Sequence, residues 1–455
     1  MGTKIFHSIR NLLHVKDKRN KSLRNNILYS ALLKITGLSC SLLIVPITLH
    51  YLEQETYGIW LTMSSILYWF SFFDIGLGNG MRNYLTASLS QGNYAMARSY
   101  FSTTLILLTL IAMVLCALFV IPLYFLDLES LFNTAILSED ELRHAMLIAV
   151  VFTLVSFVIK NIGFIFIALQ KYAMNSFLVV SGNVIALLVI YILTKTTAGN
   201  LIYVVMAFTI SPVAVYFIAS IPIFAHYPRL RPTLKSFDKT IAKGIISKGL
   251  GFFLIQITSC LVIFGSANVI ITHTVGPAGV TVYNIAYKYF NLLAIAYTIV
   301  ISPLWNAYTD AYVKNDLQWI RKTFIRSLKM WGMSVAFGLG MLLASNPFYK
   351  FWLGGKTDIE VPFSVSLCTL LFIFTFNFNN CVTYLLNGLN KIRVQIYTSV
   401  ITTALFFILV AVSHNKLGIE GVSLYMALCY ALMGAIHLYQ CKLLICGRAK
   451  GIWNE

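Results

Sequence analysis

Tyr57 to Phe101 reads YGIWLTMSSILYWFSFFDIGLGNGMRNYLTASLSQGNYAMARSYF, and the order of residue types in it decides the fold class. It opens as an apolar run, Ile59 to Phe73. An acid arrives at Asp74, followed by Gly76, Gly78, Gly80 and then Arg82. Past Arg82 the apolar residues recur at the spacing of one helix face, closing at Arg98. A soluble core helix does not need apolar run, acid, glycine cluster and amphipathic helix in that order. A polytopic membrane protein that moves does. The glycines read either as a hinge or as close helix packing, which small residues permit in lipid. Asp74 reads either as a gating residue or as a static partner of Lys34 or Arg82.

The rest of the chain agrees. Of 455 residues 58% are hydrophobic and 11% charged, with a mean hydropathy of +0.78, well outside the range of soluble domains. Little is left outside the apolar segments, so no soluble catalytic domain is expected. The basic start, Met1 to Asn26, lacks a signal-peptide pattern and reads as a cytoplasmic tail. Seven of the eight cysteines fall in or at the ends of apolar runs, without a CxxC pair, so neither disulfides nor zinc is indicated. A net charge of +18 raises nucleic acid as a partner, but the charges are scattered among loops and topology explains them better.

A bilayer core of ~30 Å takes ~20 apolar helical residues. Twelve such runs occur: 27–50, 58–79, 101–126, 144–169, 174–194, 201–225, 247–272, 280–304, 328–350, 361–387, 393–413 and 421–446. With the N-terminus inside, 26 lysines and arginines lie on the cytoplasmic side and five outside, which places both termini in the cytoplasm. The chain also repeats. ALQKYAMNSFLVVSGNVIALLVIYIL, from Ala168, aligns with GLNKIRVQIYTSVITTALFFILVAVS, from Gly388, at an offset of 220. The stretch from Asn83 to Phe101 aligns with that from Asn306 to Phe324 at an offset of 223. Six spans per half in the same orientation make this a parallel repeat. The expectation is an all-α polytopic membrane protein of twelve transmembrane helices in two six-helix lobes. They would be 27–225 and 247–446, with a basic tail at 1–26, a basic linker at 226–246 and a second tail at 447–455.

Ionisable residues within spans are costly in lipid and tend to face a bundle interior or a wet cavity. Lys34, Lys160 and Lys288 stand against Asp74, at staggered depths, a balance that suits an anionic substrate such as a phosphate or pyrophosphate. The bland alternative is that Lys34 and Lys288 snorkel to the interfaces. Asn284, Lys288 and Asn291 form one stripe of the eighth span; Asn377, Asn380, Tyr384 and Asn387 form another on the tenth. Their amides read as sugar-binding groups or, somewhat better, as links between helices. No GxxxxGK[ST] loop and no HExxH or clustered His/Cys set occurs, so neither ATP-driven transport nor a metal is expected.

Tyr57 to Asn83 resembles the second-span region of bacterial O-antigen flippases of the Wzx type. These form part of the polysaccharide-transport branch of the multidrug/oligosaccharidyl-lipid/polysaccharide exporter superfamily. The likeness continues to Phe101 and returns at ALQKY and GLNKI. It implies translocation of an undecaprenyl-pyrophosphate-linked oligosaccharide, an O-antigen repeat unit, from the cytoplasmic to the periplasmic leaflet of the inner membrane by alternating access. It also implies work alongside a polysaccharide polymerase and chain-length regulator, without a cofactor. Asp74 and Arg82 match the motif. Lys34, Lys160 and Lys288, with Asn284, Asn291 and Asn380, are assigned to the cavity by depth alone. Three rival readings stand. A drug/cation antiporter of the superfamily would typically carry an acid in the first span, where this chain has Lys34. A lipid II-type flippase usually has two more spans. A scaffold for glycan-synthesis enzymes would export glycan even without its intramembrane charges.

Overall fold

The computed structural model describes residues 18–74, 77–169, 171–244, 246, 262–354, 359–413 and 417–454. Helices dominate, and no strand occurs among the described residues. Hydrocarbon offers backbone groups no partner, and a helix satisfies them within its own segment. In chain order the helices are α1 (Lys18–Leu52), α2 (Gln54–Tyr68), α3 (Leu77–Ser90) and α4 (Tyr94–Val120). Then come α5 (Glu139–Ile159), α6 (Gly163–Ala168), α7 (Tyr172–Thr196) and α8 (Leu201–His226). Besides the short helix Leu128–Phe132, the remainder among the described residues are α9 (Val262–Thr274), α10 (Pro277–Val313), α11 (Leu317–Leu343), α12 (Ser345–Trp352), α13 (Phe363–Gly388), α14 (Arg393–Ser413) and α15 (Ile419–Ile445).

Among the described residues nine helices are long and apolar enough to cross a membrane, ten if α11 and α12, bent by 63°, form one span. These coincide with ten of the twelve expected runs. The second expected span is the 15-residue α2 followed by a 3-10 segment, Trp69–Asp74. Much of the seventh, 247–261, lies outside the described residues, and α9 is its end. The chain is an all-α polytopic membrane protein.

The internal repeat is a structural repeat in its hydrogen bonds. α4 begins at the N-cap Asn93, whose side chain accepts from the Met96 amide at 3.0 Å. α11 begins at Asp316, which accepts from the Trp319 amide at 2.9 Å, 223 residues on. Each cap follows a residue in the left-handed region, Gly92 at φ 72° and Asn315 at φ 56°. Both positions carry residue types that tolerate it. The Asn93 amide donates to the Ser88 carbonyl at 2.9 Å and the Asp316 amide to the Ala311 carbonyl at 2.9 Å. At the second junction Lys171 N–H reaches Phe166 O at 2.7 Å, and Lys391 N–H reaches Leu386 O at 2.9 Å, 220 residues apart.

The cores match as well. Leu85, Ala97, Phe101, Ile165 and Phe166 share one apolar cluster. Their repeat equivalents Tyr308, Ile320, Phe324, Leu385 and Leu386 share another.

By its contacts the chain divides into two compact units: Met1–Leu52, Phe70–Leu128 and Ser138–Phe253 form one, and Glu53–Trp69, Glu129–Leu137 and Leu254–Glu455 the other. Two segments of the expected lobe 27–225, Glu53–Trp69 and Glu129–Leu137, group with the second unit. α2 belongs with the second unit rather than with residues 27–225, because its polar face is bonded to α9 and α10.

Because the two caps satisfy orphan amides of the same kind, Asn93→Ala and Asp316→Ala each lower stability by about 1 kcal/mol. Asp316→Asn, which keeps the cap, leaves it close to the parent. The thermal midpoint of the protein in detergent reads all three.

Candidate functional site

The candidate site is built on α10 in the second unit. α10 starts at Pro277, which needs no amide partner at a helix start. Asn284, buried, lies near its beginning. Its Nδ2 donates to Asn268 Oδ1 on α9 at 2.9 Å and to the Val280 carbonyl at 2.9 Å. Asn268 passes the connection on, donating from Nδ2 to Ser65 Oγ on α2 at 2.7 Å and to the Leu61 carbonyl at 3.3 Å. One turn along, Thr62 and Thr272 share a hydrogen bond of 2.7 Å. Nearer the α2 start, Thr281 Oγ1 donates to the Gln54 carbonyl at 2.7 Å and Gln54 Nε2 to the Ala278 carbonyl at 3.3 Å. Asn133, in the loop beyond the short helix Leu128–Phe132, closes the row by donating to the Thr272 carbonyl at 3.0 Å. Together these bonds form a polar seam joining three helices.

The seam requires close approach, and Gly58 supplies it. A Cβ there would lie 1.8 Å from the Pro277 carbonyl oxygen, so any side chain forces the helices apart. Thr62 donates back to the Gly58 carbonyl at 3.0 Å, which leaves the Thr272 hydroxyl as the donor of the bond the two share, so the pair serves both a helix carbonyl and the neighbouring helix.

Lys288 lies one turn beyond Asn284 on α10, half-buried, and has no hydrogen-bond or ion-pair partner among the described residues. Beside it, Tyr283 and Tyr287 stack at 5.8 Å, and Tyr287 continues onto Phe372 at 6.4 Å. α10 thus carries a cation, two amides and stacked tyrosines between Tyr283 and Asn291. Groups of these kinds can hold an anion against the cation and offer amides and phenols to a polar ligand.

The two other lysines are in the first unit. Lys160 follows α5 at a 3-10 turn, half-buried, with Nζ 5.6 Å from the Phe157 ring centroid. Lys34 is exposed on α1.

No family model matches the chain. The chain is 26% identical over 323 residues to a Salmonella typhi protein named "Putative O-antigen transporter", covering 69% of this chain and 70% of that one. It is 22% identical over 411 residues to a protein of the same name from Salmonella typhimurium, covering 89% and 92%. A solved inward-facing multidrug resistance MATE family transporter of the MOP superfamily superposes with a TM-score of 0.73 at 14% identity, over 92% of this chain and 95% of that one. The fold is that of the MATE transporters. The resemblance read from Tyr57–Phe101 agrees with these relatives, which are transporters by name and not enzymes.

Within this transporter fold the expected residues fall into three groups. Asn284 acts as a link between helices, the reading preferred for the amides. Asn291 and Asn380 are half-buried, whereas Asn377 is fully buried and neither side-chain atom finds a partner among the described residues. Gly78 is a packing glycine: a Cβ there would meet Phe164 at 2.5 Å and Asn161 Oδ1 at 2.9 Å. Gly80 lies inside α3 with it, and Arg82 is half-buried on the same helix. Gly76 and the side chain of Asp74 lie outside the described residues.

Sequence reasoning missed the Thr62, Ser65, Asn268 and Thr272 network. Its signal was present as Gly58, Thr62 and Ser65 at i, i+4 and i+7, and Asn268 and Thr272 at i, i+4. It also missed buried His437 on α15, whose ring nitrogens contact Thr398 Oγ1 at 2.8 Å and Asn379 Oδ1 at 2.9 Å.

Removing Asn268 leaves Asn284 and Ser65 each short of a partner. Asn268→Ala therefore destabilises by about 1–3 kcal/mol, and Gly58→Val by at least as much, because it clashes with backbone. Asn284→Ala, at the end of the row, costs less. Thermal unfolding in detergent orders the three.

Proposed function

We propose that this protein is a flippase that carries an undecaprenyl-pyrophosphate-linked oligosaccharide, the O-antigen repeat unit, from the cytoplasmic to the periplasmic leaflet. The observation that carries the reading is Lys288, a cation within a span, on the same helix as the amides and stacked tyrosines and without a carboxylate partner among the described residues. An unpaired intramembrane charge is costly and marks a substrate path. A pyrophosphate is the ligand that offsets it, while the amides and phenols around it suit sugar hydroxyls. The O-antigen transporters to which the chain is similar supply the substrate class.

In this reading Lys34 and Lys160 receive the pyrophosphate from the cytoplasmic side and Lys288 releases it outward. Asn291 and Asn380 contact glycan. The lobes 27–225 and 247–446 alternate access, with the Asp74–Arg82 segment, which runs from the second span into α3, absorbing the change in shape. Both termini face the cytoplasm, and the protein works in the inner membrane alongside a polymerase and chain-length regulator. No ion or nucleotide is assigned as the driving force.

The test is O-antigen display in a strain lacking this gene and complemented with the parent, Lys288→Ala, Lys288→Arg and Lys160→Ala, at matched membrane levels. Both alanine variants lower display by at least roughly tenfold, the scale of one lost charge-assisted hydrogen bond, and Lys288→Arg retains part of it. Normal display by Lys288→Ala removes the cation from the substrate path. Failure of the parent to restore display refutes the carrier-lipid reading as a whole.

A further inference from the structure

On the first unit an apolar groove of about 490 Å³ runs between α4, α5 and α8. Leu105, Ala112 and Cys116 form one wall, Val151 and Val158 the other, and Phe224 one end. Its hydroxyls are spent within their own helices: Thr109 donates to the Leu105 carbonyl at 2.8 Å and Ser220 to the Phe217 carbonyl at 2.6 Å. At ~1.5 Å per residue, Leu105 to Cys116 covers about 16 Å, roughly half of a ~30 Å hydrocarbon core. The groove is one leaflet deep.

Its Phe224–Pro232 end is basic. Arg98 lies two turns before Leu105 on α4 and donates from Nε to the Arg231 carbonyl at 2.8 Å. Arg231 donates from Nε to the carbonyl of Phe224 at 3.0 Å, and the next residue, Pro232, lines the groove. Each guanidinium is thus tethered by one nitrogen, and its other nitrogens make no hydrogen bond among the described residues. None of the ion pairs among the described residues involves either arginine. Asp238, the acid on the same loop, directs Oδ1 to the amides of Thr240 and Ile241 at 2.7 and 3.1 Å. Arg229, over the Tyr94 ring at 5.8 Å, and Lys171, over the Tyr227 ring at 5.9 Å, add to the positive rim.

We propose that this groove is a loading dock for the polyprenyl pyrophosphate carrier, holding one isoprenoid chain along α4 and α5 and the pyrophosphate against Arg98 and Arg231. The inference rests on the flippase reading and adds a second site to it, remote from Lys288 in sequence and confined to the first unit. The occupant follows from chemistry. Two guanidiniums, each bonded through Nε alone among the described residues, match a headgroup of two phosphates, and a single apolar track matches a single chain. A diacyl phospholipid brings two chains and one phosphate, and a zwitterionic one brings an ammonium that the rim repels. By the positive-inside rule the arginine end faces the cytoplasm, the leaflet from which the substrate is taken.

The test is photocrosslinking of the full-length protein in phosphatidylcholine nanodiscs doped with diazirine-bearing undecaprenyl pyrophosphate, with adducts mapped by mass spectrometry. Adducts concentrate on residues 105–116 and 151–162, and unlabelled undecaprenyl pyrophosphate removes them while phosphatidylglycerol does not. Arg98→Gln with Arg231→Gln lowers their yield roughly tenfold, as expected for lost charge-assisted bonds. The paired lysine variant keeps most of the yield, and Val155→Trp, which fills the track, abolishes it at an unchanged melting temperature. Equal competition by phosphatidylglycerol, or an unchanged yield in the paired glutamine variant, overturns the dock. Saturable adducts that map only elsewhere on the chain overturn the dock and leave the flippase reading standing. No saturable adduct anywhere overturns both.

Discussion

Hydrocarbon supplies no hydrogen bonds, so every donor and charge placed in it must be satisfied by the protein itself or by what the protein carries. That constraint organises the molecule at each level. It makes the backbone helical. It turns hydroxyls back onto their own helices, as at Thr62, Ser65, Thr109 and Thr209, each of which donates to the carbonyl four residues earlier. Where one carbonyl is not enough, it recruits a neighbouring helix, and the seam of Asn268, Asn284, Thr62 and Thr272 results. Lys288 is a charge in this unit for which, among the described residues, the same demand is left open on the protein's side, which is why it points to a ligand.

The seam also shows how a polar network in lipid depends on a residue that takes no part in it. Interhelical hydrogen bonds in membranes are worth only about 0.6 kcal/mol on average, too little to pull two helices together against a side chain. Gly58 removes that obstacle at the Pro277 carbonyl, and the bonds form at ordinary lengths beyond it. Approach comes first and polarity then fixes the register. α2 packs with α9 and α10 on these grounds, and the 3-10 segment Trp69–Asp74 carries the chain out of that packing toward α3.

Most of the architecture was legible because it depends on quantities summed over many residues: apolar length, charge asymmetry, and a repeat spread over two long alignments. The turn before α4 went unread, although Gly92 and Asn93 and their equivalents Asn315 and Asp316, which combine a left-handed residue with a side-chain cap, lie inside the aligned stretches. The site was legible only in part. Depth along a span can be counted, but the facing of a side chain cannot when all faces of the helix are apolar. Lys34, Lys160 and Lys288 looked alike as intramembrane cations, yet one is exposed, one rests by a phenylalanine ring and one stands by stacked tyrosines. His437 and Asn379 escaped notice for a related reason. A lone imidazole in an apolar helix gains meaning only when Thr398 and Asn379 arrive from two other helices.

The paired turns carry a historical implication. Between the two halves, glycine has become asparagine at 92 and 315, and asparagine has become aspartate at 93 and 316, while the bonds those residues make are the same. If the halves descend from one duplicated ancestor, what has been inherited here is a hydrogen-bonding pattern rather than a spelling. Descent in such a protein is better traced by the position of its caps than by the letters that occupy them.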